Sequence, residues 1–464
     1  MKTFTEKIYS ISPTFLQNIF ITLYGYKLYK ERYTGNHPQY LNQLLESQWY
    51  SEKEIHDLVN RLFHGIITKA VKTVPHYHDL FKKQNFDLNS INCIEDITQL
   101  PIVTKEQIRL NPTDFLSEDF TKDKIITINT SGTTGKTMKI FVDYDSRRYG
   151  YAFFSRFKIW AGIDCKRSNA TFAGRTIVAP DRDTPPFWRR NLKMNNYLFS
   201  SYHLSPANLG FYVQKLREIQ PHFIDSYPSS ISTLAQYMLE NNLDGIRPKA
   251  IITSSETLLE YQRKTIEEAF HCPVFDQYGC AEQVVFISQC EHGTYHIHPE
   301  YGYVEFLRED GSQAEPGEEA RLICTGFTNR AMPLIRYDIG DTGILAKDQT
   351  CPCGRNFPVI EKIVGRTDDI LVMRDGRRVG RLDPVFKGLQ TIKETQIIQE
   401  DLDTVTLKIV PGEEYSQQEA EVIIHELKKR LGTQVAVSIE LVDSIPRTAA
   451  GKFRAVISKV NQIQ

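Results

Sequence analysis

Long stretches of a single character are missing from this 464-residue chain. No run of like charge marks a tail, and 56 basic against 57 acidic residues leave a formal net charge of −1. That balance gives no electrostatic case for a nucleic acid partner. No apolar run is unbroken either. The most apolar stretch near the start, Phe15–Leu28, is interrupted by Gln17 and Asn18, too soon for a signal-peptide core or a transmembrane segment. It reads as a helix packed on the body, with a membrane-interface helix as the lesser alternative. No internal repeat or low-complexity segment is present. Eight cysteines in this length do not make a secreted disulfide framework. With no targeting segment, the expected location is cytoplasmic. The length suits two to four domains and a large core.

A P-loop is missing too, although one stretch imitates it. Residues 129–137 read Asn-Thr-Ser-Gly-Thr-Thr-Gly-Lys-Thr: two glycines, five hydroxyls and a lysine in nine positions. Glycine lets backbone N–H groups turn toward one point, hydroxyls add donors, and Lys136 adds positive charge, a combination suited to phosphates. A P-loop needs G-x-x-x-x-G-K-[ST] between a strand and a helix. Here Gly132 and Gly135 are too close, and Thr130 stands where the first glycine belongs. Lys124–Asn129 and Lys139–Tyr144 both read as strands, so the loop joins strand to strand. A phosphate-binding loop of another type is expected; the plain alternative is a polar hairpin turn.

Residues 51–74 read as a helix opened by a capping box, Ser51 with Glu54. Residues 222–282 follow the pattern β-α-β-α-β, the signature of a parallel sheet. Its strands His222–Asp225, Ala250–Thr253 and Pro273–Asp276 lead into the polar turns 226–230, 254–257 and 277–282. Ligands sit outside the carboxyl ends of such strands, so the three turns should share a cleft. From residue 366 a smaller unit follows. Strand-like Thr404–Val410 precedes a helix with a second capping-box spacing, Ser416 and Glu419, presenting Val422, Ile423, Leu427 and Leu431 and stopping at Gly432. Strand-like Val435–Val442 comes next, and the small-residue loop 445–454 presents Lys452.

Cysteine and histidine cluster once. Cys290, His292, His296 and His298 precede Cys351 and Cys353. Cys290, His296, Cys351 and Cys353 suit a tetrahedral structural zinc, with His298 or His292 as substitutes for His296. The alternative is an ordinary turn beside a strand edge. Cys93, Cys165, Cys272, Cys280 and Cys324 read as buried or incidental, Cys280 being a candidate for alkylation because of its turn. Tyr149, Tyr151, Phe153 and Phe154 suit either a core or an aromatic-lined pocket.

Five motifs occur in order: Thr130-Ser-Gly-Thr-Thr-Gly-Lys136, Tyr278-Gly-Cys-Ala-Glu282, Arg336-Tyr-Asp-Ile-Gly-Asp341, Gly365-Arg-Thr-Asp-Asp369 and Pro446-Arg-Thr-Ala-Ala-Gly-Lys452. Together they resemble the adenylate-forming superfamily of acyl-CoA ligases, peptide-synthetase adenylation domains and luciferases. Cys351-Pro-Cys-Gly-Arg355 just before the fourth motif looks like the phenylacetate–CoA ligases, and within them the CapK-type branch found with capsule and surface-polysaccharide genes. The resemblance implies an α/β adenylate-forming fold. A large N-terminal domain over 1–365, helical over about 1–100, would be followed by a small mobile α+β domain over 366–464.

The resemblance also implies a two-step reaction with ATP and Mg2+. A small-molecule carboxylic acid forms an acyl-adenylate, and the acyl group then passes to CoA, a carrier-protein thiol or an amine. Thr130, Ser131, Gly132, Thr133, Thr134, Gly135 and Lys136 would hold the phosphates. Ser255 and Glu256 match the adenine-side turn, and Tyr278, beside Gly279, would stack on adenine. Glu282 matches the glutamate near magnesium, Asp341 the acid on the ribose diol, and Arg366 a ribose and phosphate contact. Asp368 falls at the hinge. Lys452 would neutralise charge between carboxylate and α-phosphate. A nucleotide-binding scaffold without catalysis is the competing reading. One departure stands out: after Asp369 the chain carries Asp375-Gly and the basic Arg377, Arg378 and Arg381 in place of the aryl-CoA ligase segment. That puts phenylacetate and CoA in question.

Overall fold

A computed structural model describes residues 8–9, 11–84, 87–130, 138–175, 177–179, 182–205, 207–256, 258, 260–365, 371–374, 378–379, 382, 385, 392–411, 415–445 and 456–460. The resemblance-derived positions Ser131–Lys136, Arg366, Asp368 and Lys452 lie outside them, as do Arg377 and Arg381.

The strands on either side of the phosphate-type loop pair with each other. Strand β1 (Ile125–Thr130) pairs antiparallel with β2 (Met138–Asp143), from Ile125 opposite Asp143 to Thr130 opposite Met138. The expected strand-to-strand setting is therefore the observed one.

A twelve-stranded sheet dominates the rest. Its strands are β3 (Asn169–Ala173), β4 (Trp188–Asn191), β5 (Asn196–Ser200), β6 (Phe223–Ser226), β7 (Ala250–Ser254), β8 (Val274–Gly279), β9 (Phe286–Gln289), β10 (Tyr295–Ile297), β11 (Gly302–Leu307), β12 (Glu319–Gly326), β13 (Tyr337–Leu345) and β14 (Val359–Gly365). They run in the order β11-β12-β13-β14-β10-β9-β8-β7-β6-β3-β5-β4. The centre, β8-β7-β6-β3-β5, is parallel and the flanks are antiparallel.

Parallel strands are covered on both faces, and the residues alternate accordingly. On β6 and β7, Ile224 and Ile251 pack with Leu216, Leu234 and Phe270 from three helices, Leu209–Ile219, Pro228–Glu240 and Glu260–Phe270. Their neighbours Phe223, Ala250 and Ile252 point the other way, onto Ala152, Phe153 and Phe157 of helix Tyr144–Trp160. Asp143 starts that last helix, its carboxylate accepting from the N–H of Asp145 and Ser146. The capping box at Ser51 forms as expected and opens helix Glu52–Thr73, whose buried face is Ile55, Val59, Phe63, Ile66, Ile67 and Ala70.

The smaller unit holds a four-stranded sheet in the order β19-β18-β17-β20: β17 (Ile392–Gln399), β18 (Thr404–Pro411), β19 (Ala436–Leu441) and β20 (Val456–Ser458). Helix Gln417–Leu431 buries Ala420, Ile423, Leu427 and Leu431. Two expectations fail here. Ser416 makes no side-chain cap; its backbone carbonyl accepts from Glu419 N–H at 3.0 Å instead. Val422 is exposed, because it lies off the Ile423–Leu427 face.

Two glycines set a close approach beside the site described below. Gly302 pairs with Gly326, and residues 283–284 cross over them. A Cβ on Gly302 would meet Val284 O at 2.1 Å and Thr325 O at 2.7 Å, both backbone atoms. Gly302→Ala is expected to destabilise the fold by about 1–3 kcal/mol or more. Gly65→Ala, on an open helical surface with nothing within 4 Å, should be neutral or stabilising by up to about 1 kcal/mol. Urea midpoints of the pair check both; equal midpoints would remove the packing argument.

Candidate active site and metal cluster

A cavity of about 1190 Å3 runs along one face of the parallel strands, from Asn169, Asn196 and Phe223 at their amino ends to the turns at their carboxyl ends. Thr171 and Phe172 of β3, Leu198 of β5, Ser226 and Tyr227 at the end of β6, and Ser254 and Ser255 at the end of β7 all line it. Two of the three expected turns therefore share this space. Ser255 has φ of +72°, a left-handed conformation uncommon for a residue with a Cβ. Glu256 follows, half-buried. Of the four aromatics after the phosphate-type loop, Tyr151 and Phe154 line the cavity, whereas Phe153 is wholly buried in the core and Tyr149 packs against it.

The third turn, 277–282, meets β13 in a double clasp. Tyr278 OH donates to Asp341 Oδ2 at 2.7 Å. Four residues along each segment the roles reverse: Tyr337 OH donates to Glu282 Oε1 at 3.2 Å. Burial, and then Asp341, push the Tyr278 hydroxyl well above its ordinary value, so it stays a donor. Glu282 is itself buried. Three residues from two separate motifs thus stand together, and Gly279 closes β8 beside them. Tyr337, inside the motif Arg336–Asp341, is the partner of Glu282 that sequence reasoning missed. Cys280 sits inside the turn, and burial followed by Glu282 raises its thiol far from ionisation. That argues against the expected alkylation, since the thiolate is the nucleophile.

Beneath the turn, buried Asp276 accepts from Thr253 Oγ1 at 2.6 Å and Tyr295 OH at 2.8 Å. Burial pushes its carboxyl up to about 6, against a partial lowering by those two donors. A folded value above the unfolded one means that the stability tied to this proton is full below the unfolded value. It is lost as pH rises through about 6.

The cysteine–histidine cluster converges. Ligand atoms of Cys290, His296, Cys351 and Cys353 all lie within 4.8 Å of one another. Antiparallel pairing of β10 with β14 brings the two halves together, His296 lying opposite Val359. Cys290 Sγ is 3.7 Å from Cys351 Sγ, and Cys353 Sγ is 3.4 Å from His296 Nε2. A zinc tetrahedron with Zn–S of about 2.3 Å places its sulfurs about 3.8 Å apart, so the donors fit. All eight cysteines are free thiols.

Burial pushes His296 down to about 4, leaving the neutral imidazole that a metal ligand requires. Its Nδ1 lies 3.3 Å from Phe357 O, which directs Nε2 to the sulfurs. Burial also pushes Cys290 up to about 12, with Cys353 and Cys351 adding to the rise. His298 is not a substitute ligand. Its Nδ1 is 2.6 Å from Arg156 Nη2 and its Nε2 is 2.8 Å from Ser288 Oγ. His292 is exposed and outside the four. Arg355, unremarked in the Cys-Pro-Cys-Gly-Arg run, latches the loop by stacking 4.2 Å over Trp160 and pairing with Glu291 at 2.7 Å.

Among solved structures, this fold is similar to a 2-hydroxyisobutyryl-CoA ligase in its thioesterification state, with a TM-score of 0.59. The two are 20% identical over 88% of this chain and 91% of that one. The same enzyme in its postadenylation state gives a TM-score of 0.58. The fold is that of the adenylate-forming enzymes. At the sequence level, the chain is 23% identical to a phenylacetate–coenzyme A ligase of Thermus thermophilus, covering 84% of this chain and 94% of the relative. It is 31% identical to Protein CapK of Staphylococcus aureus over 98% of this chain and 99% of that one. Residues 371–459 match the CapK C-terminal domain. The chain belongs to the CapK family, within the phenylacetate–CoA ligase-like adenylate-forming class.

Proposed function

We propose that the chain joins a carboxylic acid to a thiol through an acyl-adenylate. The carboxylate oxygen attacks the α-phosphorus of ATP, the bond to the β-phosphate oxygen breaks, and pyrophosphate leaves. A thiol sulfur then attacks the acyl carbon, AMP leaves, and the thiol proton passes to solvent. The observation that carries this reading is the double clasp, which gathers Tyr278, Glu282 and Asp341 at the end of β8.

In this reading the Asp341 carboxylate accepts from the ribose diol, Tyr278 offers its ring to adenine, and Ser255 with Glu256 borders the adenine side. Thr130–Lys136 hold the phosphates and Arg366 adds a ribose and phosphate contact. Mg2+ would supply charge neutralisation at the phosphates, and the single buried carboxylate of Glu282 fits an ion otherwise held by phosphate and water. The unit from 366 onward turns about Asp368 to bring Lys452 to the reacting atoms and withdraw it for transfer. Two relatives named as CoA ligases favour CoA over a carrier thiol or an amine as acceptor. The cluster Cys290, His296, Cys351 and Cys353 is read as a structural zinc site, since its four protein donors leave no open position. A role with surface polysaccharide rests on the CapK-type resemblance, and the expected cytoplasmic setting is carried over from the sequence reading alone.

The test is carboxylate-dependent exchange of radiolabelled pyrophosphate into ATP across aryl acids, amino acids and uronic acids. At least one acid should support exchange, with AMP as the nucleotide product. A folded protein inactive with the whole panel would leave the scaffold reading standing.

A further inference from the structure

Helix Thr14–Tyr33 is inverted. Where it meets β4 its inner face is polar. Gln17 Oε1 accepts from Arg189 Nε at 2.6 Å, Asn18 Oδ1 from Arg190 N–H at 2.9 Å, and Thr22 Oγ1 from Leu192 N–H at 3.1 Å. Gly25 lies directly on the Asn191 side chain. Its outer face is apolar. Phe15, Ile19, Leu23 and Tyr26, spaced by four, four and three residues, run along one exposed stripe, with Phe20 and Tyr24 beside it and Ile11 exposed just before the helix begins. Ile11 is 84% exposed, Phe15 64% and Leu23 61%. Leu192, in the turn after β4, is 62% exposed beside this helix. A soluble surface helix does the reverse, and a contiguous exposed apolar patch marks a docking surface.

Charge decides the occupant. Between Ile8 and Tyr33 the sequence has a single carboxylate, Glu31, and it is buried, 3.9 Å from Lys27 and 3.6 Å from Arg147. Residues 188–196 have none. The exposed Lys27, Lys30 and Arg190 rim the stripe, and Lys193 Nζ lies 3.9 Å over the Tyr29 ring and 5.0 Å over the Tyr26 ring. A second copy packed twofold on this face would set these cations against themselves with no exposed acid to meet them. An anionic bilayer surface complements both parts: apolar and tyrosine side chains enter the headgroup boundary while lysines stay with lipid phosphates. No helix among the described residues is long and apolar enough to cross a membrane, so the contact is peripheral.

We propose that this face, built on helix Thr14–Tyr33 and the turn after β4, docks the protein on membranes rich in anionic lipid. The same helix lends Ile21, Tyr24, Leu28 and Tyr29 to the wall of the large cavity, so docking sets that wall beside the bilayer.

The test is flotation of the full chain with phosphatidylcholine vesicles, with and without phosphatidylglycerol. Binding should require phosphatidylglycerol and weaken with salt. Lys27→Glu with Lys30→Glu should weaken it about tenfold, and Phe15→Asp with Leu23→Asp should remove it, while thermal unfolding is unchanged. Should the apolar variant fail to fold, the lysine variant decides alone. No binding to phosphatidylglycerol vesicles at low salt, or equal binding by the lysine variant, overturns the proposal. So does a dimer in light scattering that dissociates on either change without vesicle binding, which would give the face to a second copy.

Discussion

Lys452→Ala is expected to lower carboxylate-dependent pyrophosphate exchange by about 10²–10³-fold, the usual effect of removing one charge aimed at a transition state. The reason lies in the proposed first step. Two anions, a carboxylate and a triphosphate, must approach within bonding distance, and the attack concentrates negative charge between them. A lysine present there only during the attack stabilises the transition state more than either ground state, so the loss falls on kcat with little change in KM for ATP. Transfer from acyl-adenylate supplied directly has no such charge to neutralise and should survive within a few fold. Measuring both half-reactions separates the roles. Equal loss of both would mean that Lys452 holds the fold or a shared substrate, and the domain-rotation reading would fail with it.

Cys353→Ser is expected to abolish stoichiometric zinc and to lower the unfolding temperature by several degrees, an effect of about 2–4 kcal/mol spread over a large domain. Three sulfurs and an imbalance of donors explain the size. Without a cation, neighbouring thiolates repel one another, and burial already pushes Cys290 up to about 12. With zinc, those same groups become the strongest crosslink between the β9–β10 turn and the 351–353 loop. Metal analysis of the purified protein, before and after chelation, checks the claim. Acid should release the metal too, because ligand protons compete with it. Parent protein that is folded, free of metal and indifferent to chelators would leave the cluster an ordinary turn. The effect should reach the site through one strand: β9 joins the Tyr278–Glu282 turn to Cys290, pairing with β8 on one side and β10 on the other.

Local signals carried much of this fold. The hairpin around the phosphate-type loop, the β-α-β-α-β run and the Ser51 cap are short-range patterns, and each formed within a residue or two of its expected bounds except the third strand, which runs three residues further, to Gly279. What stayed hidden was long-range. Nothing local tells β14 to insert between β13 and β10, so the joining of a parallel centre to an antiparallel flank was not legible. Helix Tyr144–Trp160 was masked by its aromatics, which serve both core and cavity. At Ser416 the spacing was right and the hydroxyl still formed no cap, since spacing does not fix a side-chain torsion. In the candidate site, Tyr278, Glu282 and Asp341 were readable as residues but their clasp was not, because it needs two segments about sixty positions apart.

Helix Thr14–Tyr33 has one more consequence. Strand β4 ends the twelve-stranded order, so its outward N–H groups would be a template for another chain's strand. Asn18 occupies one of those donors, at Arg190, and Thr22 takes the N–H of Leu192 just past the strand. The helix therefore shields the sheet from edge-to-edge growth, guarding the folded chain against aggregation at the margin where a wide sheet is most exposed to it.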